Sequence, residues 1–530
     1  MKGGMMQVPL TVPGLLERAA ILFPGKGVVT ATEEGRVRLG WREVRERAWA
    51  LAAALPALGV GEGDRVASLA WNSHRHLELY FGVPAAGSVL LTANVRLSTE
   101  QVARILAHGE ARAIFADPEF IPLVEEVARS LPSPVRKVVL GASAPEGWTA
   151  YEDLLASADP SAPRPELDED AAAGLCYTSG TTGEPKGVLY SHRAIALHTL
   201  AVCLPDGFGL GEADVILPAV PMFHANAWGL AHAAAMTGAT LVLPGARPSP
   251  ERLAALMEEE GVTFAAGVPT VWMGVLDELR RRPRALSGRL RIHSGGAPTS
   301  PALLEAYRAE LGVEILAGWG MTELTPVGLV CHPRGDMAGW TPEELLPVRT
   351  AQGTPLPFVE VRLTDDEGRT VPSDGRTPGE LEVRGPWVAA GYFRASGGDA
   401  FRDGWFRTGD VATQDERGYV RLVDRTKDLI RSGGEWISSV QLEHALADHP
   451  SVAEVAVVAV PDARWGERPV ACVVLRPAAE AAAAELLGTL AGRFPKWWIP
   501  DRLIFLEAIP RTSTGKYDKK TLRQRLRQEG

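Results

Sequence analysis

Lysine is scarce in this chain. Only nine of its 55 basic residues are lysine, so a lysine set in a glycine-rich loop raises the question of why arginine would not serve there. Cysteine is scarcer still. Cys176, Cys203, Cys331 and Cys472 lie far apart with no CxxC pair, which speaks against a disulfide framework or a cysteine-built zinc site and fits a reduced, cytoplasmic protein. No segment has the apolar length that spans a bilayer. The stretch from Met1 to Pro13 is cut by Pro9 and carries charge only at Lys2, so no signal peptide is expected. Positive charge is not in excess either. The net charge of -10 argues against general nucleic-acid binding, which needs a basic face, but it leaves room for a locally positive site. Neither HExxH nor GxSxG occurs, so metalloprotease and lipase chemistry have no support.

What is present points to a layered α/β protein. At 530 residues the chain exceeds the size of one hydrophobic core, and its 46% hydrophobic and 23% charged content is that of a globular protein. Ser98 and Gln101 form a capping box ahead of Val102, Ile105 and Leu106 at helical spacing. A strand is expected over 111–117, a helix over 120–130 and a strand over 135–141, and this rhythm continues to Gly267. Short strands broken by turn pairs follow from 359 to 423, as in a small β subdomain. After the polar stretch Asp424–Asp428 the α/β pattern restarts. Ser438 and Gln441 cap a helix, strands are expected over 452–460 and 470–475, and the alanine-rich 478–484 reads as a helix start. The expected division is a large unit over 1–424, a hinge over 425–430 and a small unit over 431–530.

The strongest chemical signal is Tyr177-Thr-Ser-Gly-Thr-Thr-Gly-Glu-Pro-Lys-Gly187. Thr178, Ser179, Gly180, Thr181, Thr182 and Gly183 put hydroxyls and exposed N–H groups in one short loop, and Lys186 adds charge, a set suited to an anion. It is not a Walker A loop, because Pro185 stands where that motif has glycine.

This loop resembles the phosphate-binding signature of the adenylate-forming superfamily: acyl-CoA synthetases, luciferase-like enzymes and peptide-synthetase adenylation domains. The resemblance continues in order through Pro221-Met-Phe-His224, Gly295-Gly-Ala-Pro298, Gly318-Trp-Gly-Met-Thr-Glu323, Trp405-Phe-Arg-Thr-Gly-Asp410, Asp424-Arg-Thr-Lys-Asp428, Ser432-Gly-Gly-Glu-Trp436 and Pro510-Arg-Thr-Ser-Thr-Gly-Lys516. It is nearest to bacterial long-chain fatty acyl-CoA synthetases. It implies a large N-terminal α/β domain with a β subdomain, a small mobile C-terminal α+β domain, and ligation of a fatty acid to coenzyme A with ATP and Mg2+.

By the same resemblance, Thr178 and Glu323 hold the metal, while Asp410 and Arg425 take the ribose. Gly296, Gly318, Trp319 and Thr322 border the nucleotide, as do Arg431 and Trp436. Tyrosine is frequent in relatives where Trp319 stands, so a hydrogen bond from its hydroxyl is not expected here. Lys516, with Lys186 and His224, is expected to act in adenylation; a flexible ammonium suits a transient contact. Lys427 takes the hinge position, and Ser432, Gly433 and Gly434 line the pantetheine path. His224 and Trp228 bound the acyl pocket. Lys519 and Lys520 read as ordinary tail lysines. A homodimer is implied by the resemblance alone. Rival readings are a carrier-protein or other acceptor, a medium-chain or aryl acid, and a non-catalytic binding module on the same fold.

Overall fold

The computed structural model describes residues 3–159, 161–178, 186–395, 399–433, 435–511 and 517–528. Among these residues the strands form four sheets, of nine, seven, five and five strands. The two large sheets are built mainly from parallel strands joined through helices, as the alternating sequence pattern requires. Their strands are short apolar runs with both faces covered; Thr240–Leu243 and Phe264–Gly267 are buried almost throughout.

In the nine-stranded sheet, Val215–Pro218, Phe264–Gly267, Arg291–Ser294 and Glu314–Gly320 run parallel and adjacent. Their carboxyl ends therefore open on one side, which is where α/β sheets place ligands. The chain leaving them carries His224, Gly295-Gly296 and Thr322-Glu323. In the seven-stranded sheet, Ala172–Thr178 pairs antiparallel with Lys186–Ser191, and Thr178 lies opposite Lys186. The phosphate-loop signature thus begins and ends on neighbouring strands.

The first five-stranded sheet is antiparallel and spans Glu360–Thr364 to Val420–Arg425, the β subdomain expected from the turn-rich sequence. The last sheet starts at Ile430–Ser432 and has its own apolar core around Leu442, Leu446, Val457 and Ala471. Local signals are obeyed closely. Ser98 and Gln101 form the capping box of Thr99–His108, the strand and helix expected next are Ala111–Ala116 and Ile121–Ser130, and Ser438 caps Ser439–Ala447 by accepting from the Gln441 N–H. The alanine run corrects one expectation. Its helix, Ala483–Gly488, begins five residues later than 478, because Pro477 and a left-handed Ala478 (φ 61°) first turn the chain after the strand.

Candidate active site

Lys186 opens its strand half-buried, with its Nζ 5.1 Å from the ring centre of Tyr392. The Tyr392 hydroxyl donates to Glu323 Oε1 at 2.7 Å. Glu323 is 4% exposed. Burial pushes its carboxyl pKa up, against the opposing pull of the Tyr392 hydrogen bond, its own N–H and the charges of Arg425 and Lys186. Its backbone is fixed as well. Tyr190 donates its hydroxyl to the Thr322 carbonyl at 2.7 Å, and the Ala389 N–H donates to the Glu323 carbonyl at 2.7 Å.

A second group lies against the β subdomain. Asp410 is 2% exposed and receives the Trp319 indole N–H on Oδ2 at 2.8 Å. Its Oδ1 is 3.1 Å from Arg425 Nε, since the two residues face each other on paired strands. Position 319 has no tyrosine hydroxyl, yet its indole N–H supplies a hydrogen bond that the sequence alone did not indicate. Next to Trp319, a Cβ on Gly318 would fall 2.3 Å from His293 Cε1, so glycine alone fits. Gly296 has φ 78°, again a conformation natural to glycine.

The third group contains Trp228. Ala225, Asn226, Ala227 and Trp228 all have positive φ, from 44° to 58°, a run that costs each non-glycine residue on the order of 1 kcal/mol. Tertiary hydrogen bonds hold it. Asn226 Oδ1 accepts from the Tyr80 hydroxyl (3.3 Å) and the Cys176 thiol (3.2 Å). Asn72 donates to the Pro218 and Val220 carbonyls and accepts from the Met222 N–H at 2.7 Å. The Trp228 ring stands edge-on to His293, 5.5 Å between centres, and approaches Gly295. His224 caps this turn, half-buried.

In the C-terminal unit, the Arg431 guanidinium lies 4.2 Å from the ring centre of Trp436, so two expected nucleotide residues stack on each other. Ser432 is buried and its hydroxyl accepts from Arg468 at 3.1 Å. Gly433 (φ 62°) donates its N–H to the Trp465 carbonyl at 2.8 Å. The pKa of Lys427 is lowered, first by burial and then by the Arg425 charge. Ser179, Gly180, Thr181, Thr182, Gly183, Gly434 and Lys516 lie outside the described residues.

The tail-lysine reading fails for Lys519. Its side chain is 12% exposed, 2.6 Å from Glu443 Oε1, and it donates to Ser439 Oγ at 2.6 Å. Ser439 in turn donates its N–H to Asp424 at 2.7 Å. Tyr392, Asn72 and Lys519 are the residues that sequence reasoning passed over. Lys519 had a readable signal, because it shares the i, i+3, i+7 face with buried Leu522 and Leu526.

Among the described residues no cluster of three or more His, Cys, Asp or Glu side chains could hold a metal. The donors that the resemblance implies are one buried carboxylate, Glu323, and the Thr178 hydroxyl. That set fits magnesium, which takes few protein oxygens alongside phosphate.

Lys186 at the close of the glycine- and threonine-rich stretch, the buried Glu323 reached through Tyr392, and the buried Asp410 of the antiparallel β subdomain are the observed features of the candidate site. The chain belongs to the AMP-binding enzyme family, whose pattern matches residues 16–393, with the AMP-binding enzyme C-terminal domain matching 441–516. It is 47% identical over 530 residues to the long-chain-fatty-acid–CoA ligase of Thermus thermophilus, covering 99% of this chain and 97% of that protein. It is 43% identical over 535 residues to the 3-methylmercaptopropionyl-CoA ligase of Ruegeria pomeroyi, with 99% of each covered. The crystal structure of an anthranilate CoA ligase in complex with anthranoyl-AMP superposes with a TM-score of 0.89 at 26% identity, over 100% of this chain and 99% of the other. No helix among the described residues is long and apolar enough to cross a membrane.

Proposed function

We propose that this enzyme joins a fatty acid, with long chains preferred, to coenzyme A through an acyl-adenylate, releasing AMP and pyrophosphate. The observation that carries the proposal is that Tyr392 bridges Lys186, which follows the hydroxyl-rich stretch, and the buried, fixed Glu323. A carboxylate attacking the α-phosphate of ATP brings two anions together, so the residues around it must supply positive charge and oriented dipoles.

Lys186 and the loop Thr178–Gly183 take the phosphates, and Lys516 steadies the reacting carboxylate against the α-phosphate. Thr178 and Glu323 hold magnesium, which when bound screens the phosphate charge. Asp410 accepts the ribose hydroxyls with Arg425 beside it, while Gly296, Gly318, Trp319, Thr322, Arg431 and Trp436 border the nucleotide. His224 and Trp228 bound the acyl chain. For the second step, residues 431–530 turn about 425–430, with Lys427 in the hinge, and Ser432, Gly433 and Gly434 line the approach of the thiol. A cytoplasmic homodimer is part of the same reading.

The test is release of AMP and pyrophosphate from ATP, magnesium and CoA with straight-chain acids from acetate to stearate, and benzoate. A closed apolar pocket gains about 0.8 kcal/mol per methylene, roughly fourfold in kcat/KM. A steep rise to a long-chain optimum is the expected result. Pyrophosphate exchange without a CoA thioester would move the acceptor to a carrier protein or another nucleophile, and no turnover with any acid would sink the ligase reading.

A further inference from the structure

We propose that Tyr392 is a positioning residue that sets the Glu323 carboxylate for the divalent ion of the nucleotide and joins it to the phosphate loop. The role rests on the adenylating function argued above. Glu323 lies in a 3-10 turn, Thr322–Leu324, and a buried glutamate there has several rotamers open to it. One neighbour removes that freedom. The Tyr392 hydroxyl donates to Oε1 at 2.7 Å, a charge-assisted bond of the stronger kind. That bond occupies one lone pair of Oε1, and the carboxylate keeps acceptor capacity for a cation.

The same tyrosine faces Lys186, where the strand after the phosphate loop begins. Its ring lies 5.1 Å from Lys186 Nζ, within cation–π range. The next residue, Phe393, donates its N–H to the Gly187 carbonyl at 2.7 Å, and three residues earlier Ala389 donates to the Glu323 carbonyl. The segment from Trp387 to Phe393 therefore grips both halves of the phosphate site by its backbone, with Tyr392 between them. Thr325 adds a further tie through its hydroxyl to the Trp387 carbonyl at 2.7 Å. A phenol is suited to both contacts, because its edge donates a proton while its face attracts a cation. Groups that orient a metal ligand from behind commonly change metal affinity by about 10- to 100-fold when removed.

The experiment uses the full chain and reads binding rather than turnover. Mn2+ with ATP is titrated by electron paramagnetic resonance, and metal-free ATP in chelator by calorimetry, for wild type, Tyr392→Phe and Tyr392→Leu. Tyr392→Phe keeps the ring under Lys186 and loses the hydroxyl, so it should weaken Mn2+–ATP about tenfold and leave metal-free ATP binding unchanged. Tyr392→Leu should weaken both, since it also removes the face beneath the ammonium. In a Glu323→Gln background, Tyr392→Phe should produce no further loss of Mn2+–ATP affinity. Equal Mn2+–ATP affinity in wild type and Tyr392→Phe overturns the positioning role while leaving the adenylation reading intact. Failure of the wild type to bind Mn2+–ATP overturns both.

Discussion

The Trp319 indole N–H donates to Asp410 Oδ2 at 2.8 Å across a buried contact between the large sheet and the β subdomain. Ninety-one residues separate the two, yet this bond and Arg425 on Oδ1 together fix the plane of the carboxylate that the proposed mechanism presents to the ribose. Trp319→Phe retains the aromatic ring and removes the donor. A hydrogen bond to a charged group contributes about 1.5 kcal/mol or more, so KM for ATP in pyrophosphate exchange should rise about tenfold, with a smaller change in KM for the acid. An unchanged KM for ATP would remove the indole from the account of this site.

That pair also marks the limit of what could be read from the chain. Helix caps such as Ser98 with Gln101, and Ser438 with Gln441, were legible because both partners lie within one turn. The loop around Lys186 was legible because its chemistry is compact in sequence. Tyr392 was not, since a Gly-Tyr-Phe triplet between strands looks like any turn, and its bond to Glu323 spans 69 residues. Trp228 was read as a pocket residue, but the left-handed run that carries it was invisible. Ala225 to Trp228 contains no glycine, and tertiary bonds from the Tyr80 hydroxyl and the Cys176 thiol to Asn226 hold that conformation.

Trp228 fills space between Gly295 and His293. Trp228→Ala should therefore lengthen the acyl pocket and move the optimum of kcat/KM toward longer acids, by about fourfold for each methylene newly accommodated. The chain-length series measured for wild type is repeated on the variant. Identical profiles would mean that the indole is ordinary packing and does not bound the acyl chain.

Three buried imidazoles behind the site give stability a direction in pH. Burial lowers the pKa values of His198, His232 and His293 from 6.5 to about 3, and His198 Nε2 accepts the Val327 N–H, which requires the neutral ring. A depressed folded pKa means that the unfolded chain binds the proton first. Their contribution is complete above pH 6.5 and is lost as pH falls toward 3. At about pH 5 each imidazole accounts for up to about 2 kcal/mol of that loss. Tm should fall steadily below pH 6.5, and His198→Gln should flatten the slope even if it lowers Tm at neutral pH. A variant with the wild-type slope would remove His198 from the explanation.

Lys427 lies in the turn between Val420–Arg425 and Ile430–Ser432, where the Arg523 side chain of the last helix bonds Asp428 at 2.7 Å. If residues 431–530 must rotate between half-reactions, proline at 427 should block the second arrangement by fixing φ there. Lys427→Pro should keep pyrophosphate exchange within about threefold of wild type and reduce thioester formation by about 100-fold or more. The two half-reactions are measured separately, the second from supplied acyl-adenylate. Parallel loss of both would show a damaged fold or site rather than a blocked hinge.

Lys519 provides the sharpest structural test of that junction. Its ammonium is the positive partner of Glu443 and lies in the electrostatic field of Asp424; burial raises the pKa of both carboxyls, and the Lys519 charge pulls against it. Lys519→Met keeps an apolar stem of similar length and strands two buried acids, a change that costs about 3 kcal/mol or more. The C-terminal unit should then unfold first, seen as early loss of protection in the strands Val452–Asp462 and Gly466–Leu475 by hydrogen exchange. Lys519→Met combined with Glu443→Leu should recover part of the loss, because the pair is then replaced rather than broken. Lys520→Met, one residue along and exposed, should stay within about 0.5 kcal/mol of wild type. Equal effects at 519 and 520 would return Lys519 to the status of a tail lysine.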